Sequence, residues 1–164
     1  MKKYVWVLLL VLLLQGCGTG EAMETVSDEM LLPVMADPVE VTVSLPGEAA
    51  LPVSESENGR LYLSEDYEIL VQTLDRGDLN ATLEELTGCS ADQLTVLETC
   101  LDGISRYEFV WASAGEKGAR VGRGVILDDG NYHYCLSALW DADSTEKSQI
   151  NWNQVFSSFG PVSY

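Results

Sequence analysis

Apolar residues in this chain change their spacing from segment to segment, and the changes outline its parts. Residues 4–14 are apolar without interruption, eleven in a row behind Met1-Lys2-Lys3. A bilayer-spanning helix needs roughly 20 such residues, whereas about 7–15 suffice for a signal-peptide core. The run therefore predicts a leader, residues 1–16. From Gly18 to Asn58 neither a helical nor a strand period is sustained. That stretch holds Pro33, Pro38, Pro46 and Pro52 together with nine glutamates and aspartates. Proline removes a backbone donor and extends the chain, so residues 17–58 read as an acidic flexible tether. Within it only 39–45, "VEVTVSL", alternates well enough to form a strand that docks on a domain edge.

Regular patterns begin after the Asn58-Gly59 turn signal. "RLYLSEDYEILVQTL" contains two alternating runs, with Leu61 and Leu63 on one face and Tyr67, Ile69 and Val71 on another. Ser64-Glu65-Asp66 turns between them, which predicts a hairpin. Leu79, Leu83 and Leu86 then recur at helical spacing. Asp78 or Asn80 is placed to cap the helix start, and Gly88 suits a left-handed C-terminal cap. Ser90 and Gln93 fit a capping box, yet "LTVLET" favours a strand over 94–100. In "SRYEFVWAS", Tyr107, Phe109 and Trp111 face one way and Glu108, Val110 and Ala112 the other. "ARVGRGVIL" follows as a strand with Val121, Val125 and Leu127 on one side. An Asp-Gly turn at 128–131 leads to a third strand whose Tyr132, Tyr134, Leu136, Ala138 and Trp140 share a face. Ile150, Trp152, Val155, Phe156 and Phe159 form one stripe of a closing helix over 141–159. Asp143 or Ser144 caps that helix, Glu146 lies in its first turn, and Gly160-Pro161 stops it.

The leader ends in Leu14-Gln15-Gly16-Cys17, which resembles the bacterial lipobox. A cysteine suits that place because the thiolate is a strong nucleophile and accepts a lipid. The resemblance implies cleavage before Cys17, a diacylglycerol thioether with palmitate-type chains on its sulfur, and attachment to the extracytoplasmic side of the cell membrane. Two acyl chains suffice for stable anchoring where one is marginal. The alternative reading is ordinary secretion, with cleavage near Gly20-Glu21-Ala22.

Charge narrows the partners. The full chain has a formal charge of −17, and losing Lys2 and Lys3 with the leader takes it two units further. Such a surface repels phosphate backbones, so nucleic acid is excluded. Beyond Cys17, which would carry the lipid, three cysteines remain, Cys89, Cys100 and Cys135. They allow at most one internal disulfide and leave one thiol over. No CxxC spacing accompanies them, and His133 is the only histidine, so neither a metal nor another cofactor is expected.

Catalytic motifs are weak. There is no GxSxG. Cys135 shares a strand face with His133, two positions away, which leaves room for an envelope enzyme using His133 with Cys135 or a nearby carboxylate. "DADSTE" starts like a calcium loop, but Glu146 stands where glycine is needed and Trp152 where glutamate is, so a helix cap explains it better. Asp128, Asp129 and Asn131 suit a tight turn. Asn80-Ala81-Thr82 matches a glycosylation acceptor by coincidence. Gly122 and Gly124, inside a strand, mark a bulge or the close approach of another backbone.

The order hairpin, helix, three-strand meander and closing helix predicts one α+β domain over 59–164. It has an antiparallel sheet of about five or six strands, with a short N-terminal helix and a C-terminal amphipathic helix packed on it. "YEILVQTL", "RVGRGVILDDGNYHYCLSAL" and "WNQVFSSF" make this order similar to the PsbP-like sandwich, which implies binding or assembly rather than catalysis. The sequence thus reads as a non-enzymatic, membrane-anchored binding or assembly-accessory module. It would meet an envelope protein, a wall component or a small ligand. A structural spacer without ligand is the remaining alternative.

Overall fold

A computed structural model describes residues 36–49, 51–115, 118–144 and 150–162. Two antiparallel sheets hold all the described strands. In chain order the strands are β1 (Val41–Thr42), β2 (Ser54–Glu55), β3 (Gly59–Leu63), β4 (Tyr67–Asp75), β5 (Thr95–Leu101), β6 (Ile104–Gly115), β7 (Gly118–Asp128), β8 (Tyr132–Asp141) and β9 (Gly160–Pro161). The helices are α1 (Leu79–Thr87) and α2 (Trp152–Ser157). The large sheet runs β2-β3-β4-β8-β7-β6-β5, and β1 pairs with β9. The protein is α+β, with more strands than the five or six expected, because 36–58 and the last residues add short ones.

Each face of the large sheet is covered by one helix. On the first face, Val155, Phe156 and Phe159 of the α2 segment pack with Tyr67, Ile69, Val125, Leu127, Tyr134, Leu136, Ala138 and Trp140. On the second, Leu83 of α1 packs with Phe109, Trp111, Ile126 and Cys135. Both faces are aromatic, and the closing helix takes the Tyr134–Trp140 side while Phe109 and Trp111 go to α1.

α1 forms as its sequence predicts. The Asp78 carboxylate accepts from the Asn80 amide, and Gly88 adopts φ 71° at the C-terminal cap, a conformation that costs glycine little. Ser90 and Gln93 make their reciprocal capping box on a single 3-10 turn, and β5 follows at once, so both patterns in "SADQLTVLETC" are used in succession. The closing helix is shorter than predicted. Asn151 caps it, accepting from the Gln154 amide, while Ala142–Ser144 is a separate 3-10 turn and 145–149 lie outside the described residues. Asn151, directly before Trp152, is a side-chain acceptor of the kind that starts a helix.

One further expectation holds and another is corrected. Leu61 and Leu63 share a face of β3 as expected, opposite Tyr62. In β3 the buried residue is Tyr62, paired with Ile69, while Leu63 is 47% exposed. Tyr62 points to the face covered by the chain ends, and Leu63 to the opposite face. Gly122 and Gly124 sit in an unbroken β6–β7 register, so there is no bulge. They face Trp111 and Phe109 across the ladder, and an added Cβ would lie 2.1 Å and 2.4 Å from those rings. The close approach is made by aromatic side chains rather than by another backbone.

The domain-side part of the segment read as tether is built onto the first face. Val41, Val43 and Leu45 pack there and Ala49 is buried. The Val162 amide donates to the Glu40 carbonyl, and the Val39 amide donates to the Tyr134 hydroxyl at 2.9 Å.

Candidate functional site

Beneath α1 lies the group of residues with the most chemistry. β8 turns His133 and Cys135 toward the helix, as strand alternation requires. Thr82 of α1 and His133 Nδ1 share a hydrogen bond of 2.9 Å, and His133 Nε2 lies 3.8 Å from Asp128 Oδ2. Asp128 in turn sits 3.4 Å from the Arg76 guanidinium. A hydroxyl, an imidazole and a carboxylate therefore stand in series, the residue types of a hydrolase triad. Thr82 was not singled out for this from the sequence, because only the packing of α1 on β8 brings it to His133.

Burial decides what this series can do. His133 and Cys135 are 1% and 0% exposed, and Thr82 is 6% exposed. Burial pushes the His133 imidazole below its usual pKa, against the pull of Asp128 in the other direction. The imidazole is therefore held neutral. Burial, helped by Glu85, pushes the Cys135 thiol up to about 12, and that thiol donates weakly to the His133 carbonyl at 3.8 Å. A thiol in that range offers almost no thiolate near neutral pH. The arrangement fastens α1 to the sheet, with its imidazole, thiol and hydroxyl buried.

The remaining candidates are accounted for by local structure. Asp128 accepts from the Gly130 amide, and Asp129 accepts from the Asn131 and Tyr132 amides and the Tyr134 hydroxyl. Burial alone would raise the Asp129 carboxyl, but these donors outweigh it and hold the pKa low. Tyr134 moves the other way, pushed up to about 12 by burial and by the Asp129 carboxylate. These oxygens serve the turn between β7 and β8. Cys89, Cys100 and Cys135 are free thiols, and Cys17 lies outside the described residues. Among the described residues no three His, Cys, Asp or Glu side chains are grouped as metal ligands. None of the described helices is long and apolar enough to cross a membrane.

Two surface hollows flank the β4 side of the sheet. One, of about 280 Å³, lies between residues 38–41, the loop before β3, and strands β4 and β8; Glu40, Glu57, Asp75 and Tyr132 are in its wall. The other, of about 420 Å³, lies where the β3–β4 turn meets the ends of β6 and β8. Among its described lining residues the one basic side chain, Arg120, is engaged by Glu68 at 2.8 Å and Asp141 at 3.5 Å. Among the described lining residues of both hollows carboxylates outnumber basic side chains, and Arg60 in the first is engaged by Glu55, which suits neutral or cationic groups better than anions.

No protein-family model matches the chain, and no curated protein matches it. Among solved structures the chain is similar to LpqN, described as involved in cell envelope biogenesis of Mycobacterium tuberculosis. The TM-score is 0.50 at 15% identity, over 78% of this chain and 87% of that one. At that identity the likeness is one of fold.

Proposed function

We propose that this chain is a lipid-anchored module on the extracytoplasmic side of a bacterial membrane, held through Cys17, with a binding or assembly-accessory role and no catalysis of its own. The observation that carries the reading is the sequence Leu14-Gln15-Gly16-Cys17 directly behind a cationic and apolar leader. The shared fold with a protein involved in cell envelope biogenesis supports an envelope role, as an analogy between folds. A sheet covered by one helix on each face is also what a PsbP-like sandwich requires. Sealing of His133, Cys135 and Thr82 supports binding over the envelope-enzyme reading. The two acidic hollows support binding over a bare spacer.

Mass spectrometry of the chain made in a lipoprotein-processing bacterium tests the anchor. Cleavage after Gly16 and a diacylglycerol mass on Cys17 are expected, with the product entering the detergent phase on phase separation. Cys17→Ser should leave the leader uncut. An uncut or unlipidated N-terminus on the unaltered chain would sink the proposal. Turnover of a substrate that is lost on His133→Ala would overturn the non-catalytic part alone.

A further inference from the structure

We propose that the outer edge of β5 is a pairing site for an extended segment of a partner protein in which apolar residues alternate with basic ones. This names the partner class for the binding module above and rests on that reading. β5 ends the large sheet, and no described strand pairs with its outer side. The loop to β6 is only Asp102 and Gly103, at φ 53° and 84°, so Leu101 and Ile104 flank a tight two-residue hairpin. The pair next to such a loop is hydrogen-bonded, and bonding alternates along an antiparallel ladder. Leu101, Thr99, Leu97 and Thr95 therefore turn their backbone groups to β6. Val96, Glu98 and Cys100 turn theirs outward.

Exposed edges are usually guarded by lysine, proline, a bulge or sheer shortness. The opposite edge of this sheet follows that rule, since β2 has two residues and Pro52 precedes it by two positions. β5 has seven residues, no lysine or proline, and an unbroken register with β6. Its side chains match an alternating partner. Leu97 and Leu101 are 63% and 76% exposed, and Val110, across from Thr95 on the same face, is 59% exposed. The other face presents Glu98. Each described arginine already meets a carboxylate: Arg60 with Glu55, Arg76 with Asp128, Arg106 and Arg123 with Glu108, and Arg120 with Glu68. Among the described residues no arginine is left over for the acid on β5, so an outside cation can meet it. A second copy would set Glu98 near its own image on a chain of charge −17. A strand with apolar residues over Leu97 and Leu101 and lysines or arginines beside Glu98 satisfies both faces, while its main chain takes up the open bonds.

The test titrates the full-length chain in detergent with a fluorescent peptide of roughly eight residues alternating valine and lysine. Binding should weaken about tenfold or more in each of four cases. These are glutamate in place of lysine, the same composition with its lysines gathered at one end, N-methylation of the peptide's pairing amides, and Glu98→Pro in the protein. The proline removes an outward N–H and leaves the bonds to β6. The methylated peptide needs no protein variant, so a folding defect cannot mimic its result. Undiminished binding of the methylated or the rearranged peptide overturns the proposal. So does self-association in sedimentation that Glu98→Pro relieves, which would make a second copy the occupant. A lipidated chain that ignores the peptide overturns the edge assignment and leaves the anchored module standing. An unlipidated chain that binds the peptide does the reverse.

Discussion

The two faces of the large sheet are sealed in different ways. The first is closed by chain segments far apart in sequence, residues 39–49 and 150–162, which meet over an aromatic group. Trp152 stacks on Trp140 at 4.7 Å between ring centroids and meets Tyr67 edge-on at 5.6 Å. Arg106 donates to the carbonyls of Phe156 and Phe159, and Arg123 lies over the Phe156 ring at 4.6 Å. Glu108 binds both guanidiniums; burial alone would raise its pKa, but the two arginines hold it below the usual carboxylate range. The second face is closed by one local helix, and it rests on missing atoms, two glycines that let Trp111 and Phe109 lie flat, together with the buried Thr82–His133 bond. The contrast separates a face that depends on bringing chain ends together from one that depends on local fit.

Removing the hub of the first face should have the largest effect. Phe156 is fully buried and touches both arginines and Trp152. Phe156→Ala should lose about 3–5 kcal/mol in denaturant unfolding. A loss near zero would mean that the chain ends do not hold that face. On the second face Gly122→Ala puts a methyl where the Trp111 ring lies. Overpacking of this kind costs about 1–3 kcal/mol. The double change Gly122→Ala with Trp111→Ala should then cost less than the two single losses added together. Full additivity would show that ring and glycine are independent, and would erase this half of the contrast.

These differences mark what could be read in advance. Alternation told which residues share a face in β6, β7 and β8, because an antiparallel meander with both faces covered keeps a strict period of two. It could not tell which helix covers which face, since both faces present rings of similar size. The caps of α1 were legible because Asp78 and Gly88 act within a few residues of themselves. Pairing of β1 with β9 was not, because Gly160-Pro161 reads as a helix stop and says nothing about Thr42 and Val41, their distant partners near the other end of the domain. His133 could be placed on the face opposite the tyrosines. Its burial depended on Thr82, whose contact arises only in the folded state. Of the candidate site, the proposed anchor at Cys17 rests on the sequence alone, and the hollows and the β5 edge could not be read from it.

Tyr134→Phe probes how firmly the N-terminal segment is held on the first face. The hydroxyl accepts from the Val39 amide and donates to Asp129 at 2.8 Å. Losing it should cost about 1–2 kcal/mol. Amide exchange at Val39 should rise more than exchange in β8. The same hydroxyl makes the unaltered protein lose stability in strong base. Its folded pKa is raised from 10 to about 12, so the contribution is full below 10 and fades as pH climbs toward 12. The phenylalanine variant should show a smaller loss, the remainder coming from the Cys135 thiol, which burial also pushes up to about 12.

The second face should respond to acid instead, and at neutral pH this last effect vanishes. His133 has its folded pKa lowered from 6.5, so the unfolded chain takes up a proton more readily than the folded one. The contribution is complete above 6.5 and is lost as pH falls from there through the folded value. Glu108 and Asp129, both lowered from ordinary carboxylate values, act only in stronger acid. Between about pH 6.5 and 5 the unfolding midpoint of the unaltered chain should therefore drop, and His133→Asn, whatever its cost at pH 7, should show a flatter slope. In that window hydrogen exchange should quicken first in α1, because protonated imidazole gains a donor where Thr82 packs. An equal response in α2 would mean that the two faces unfold as one, and that the local seal beneath α1 has no separate stability.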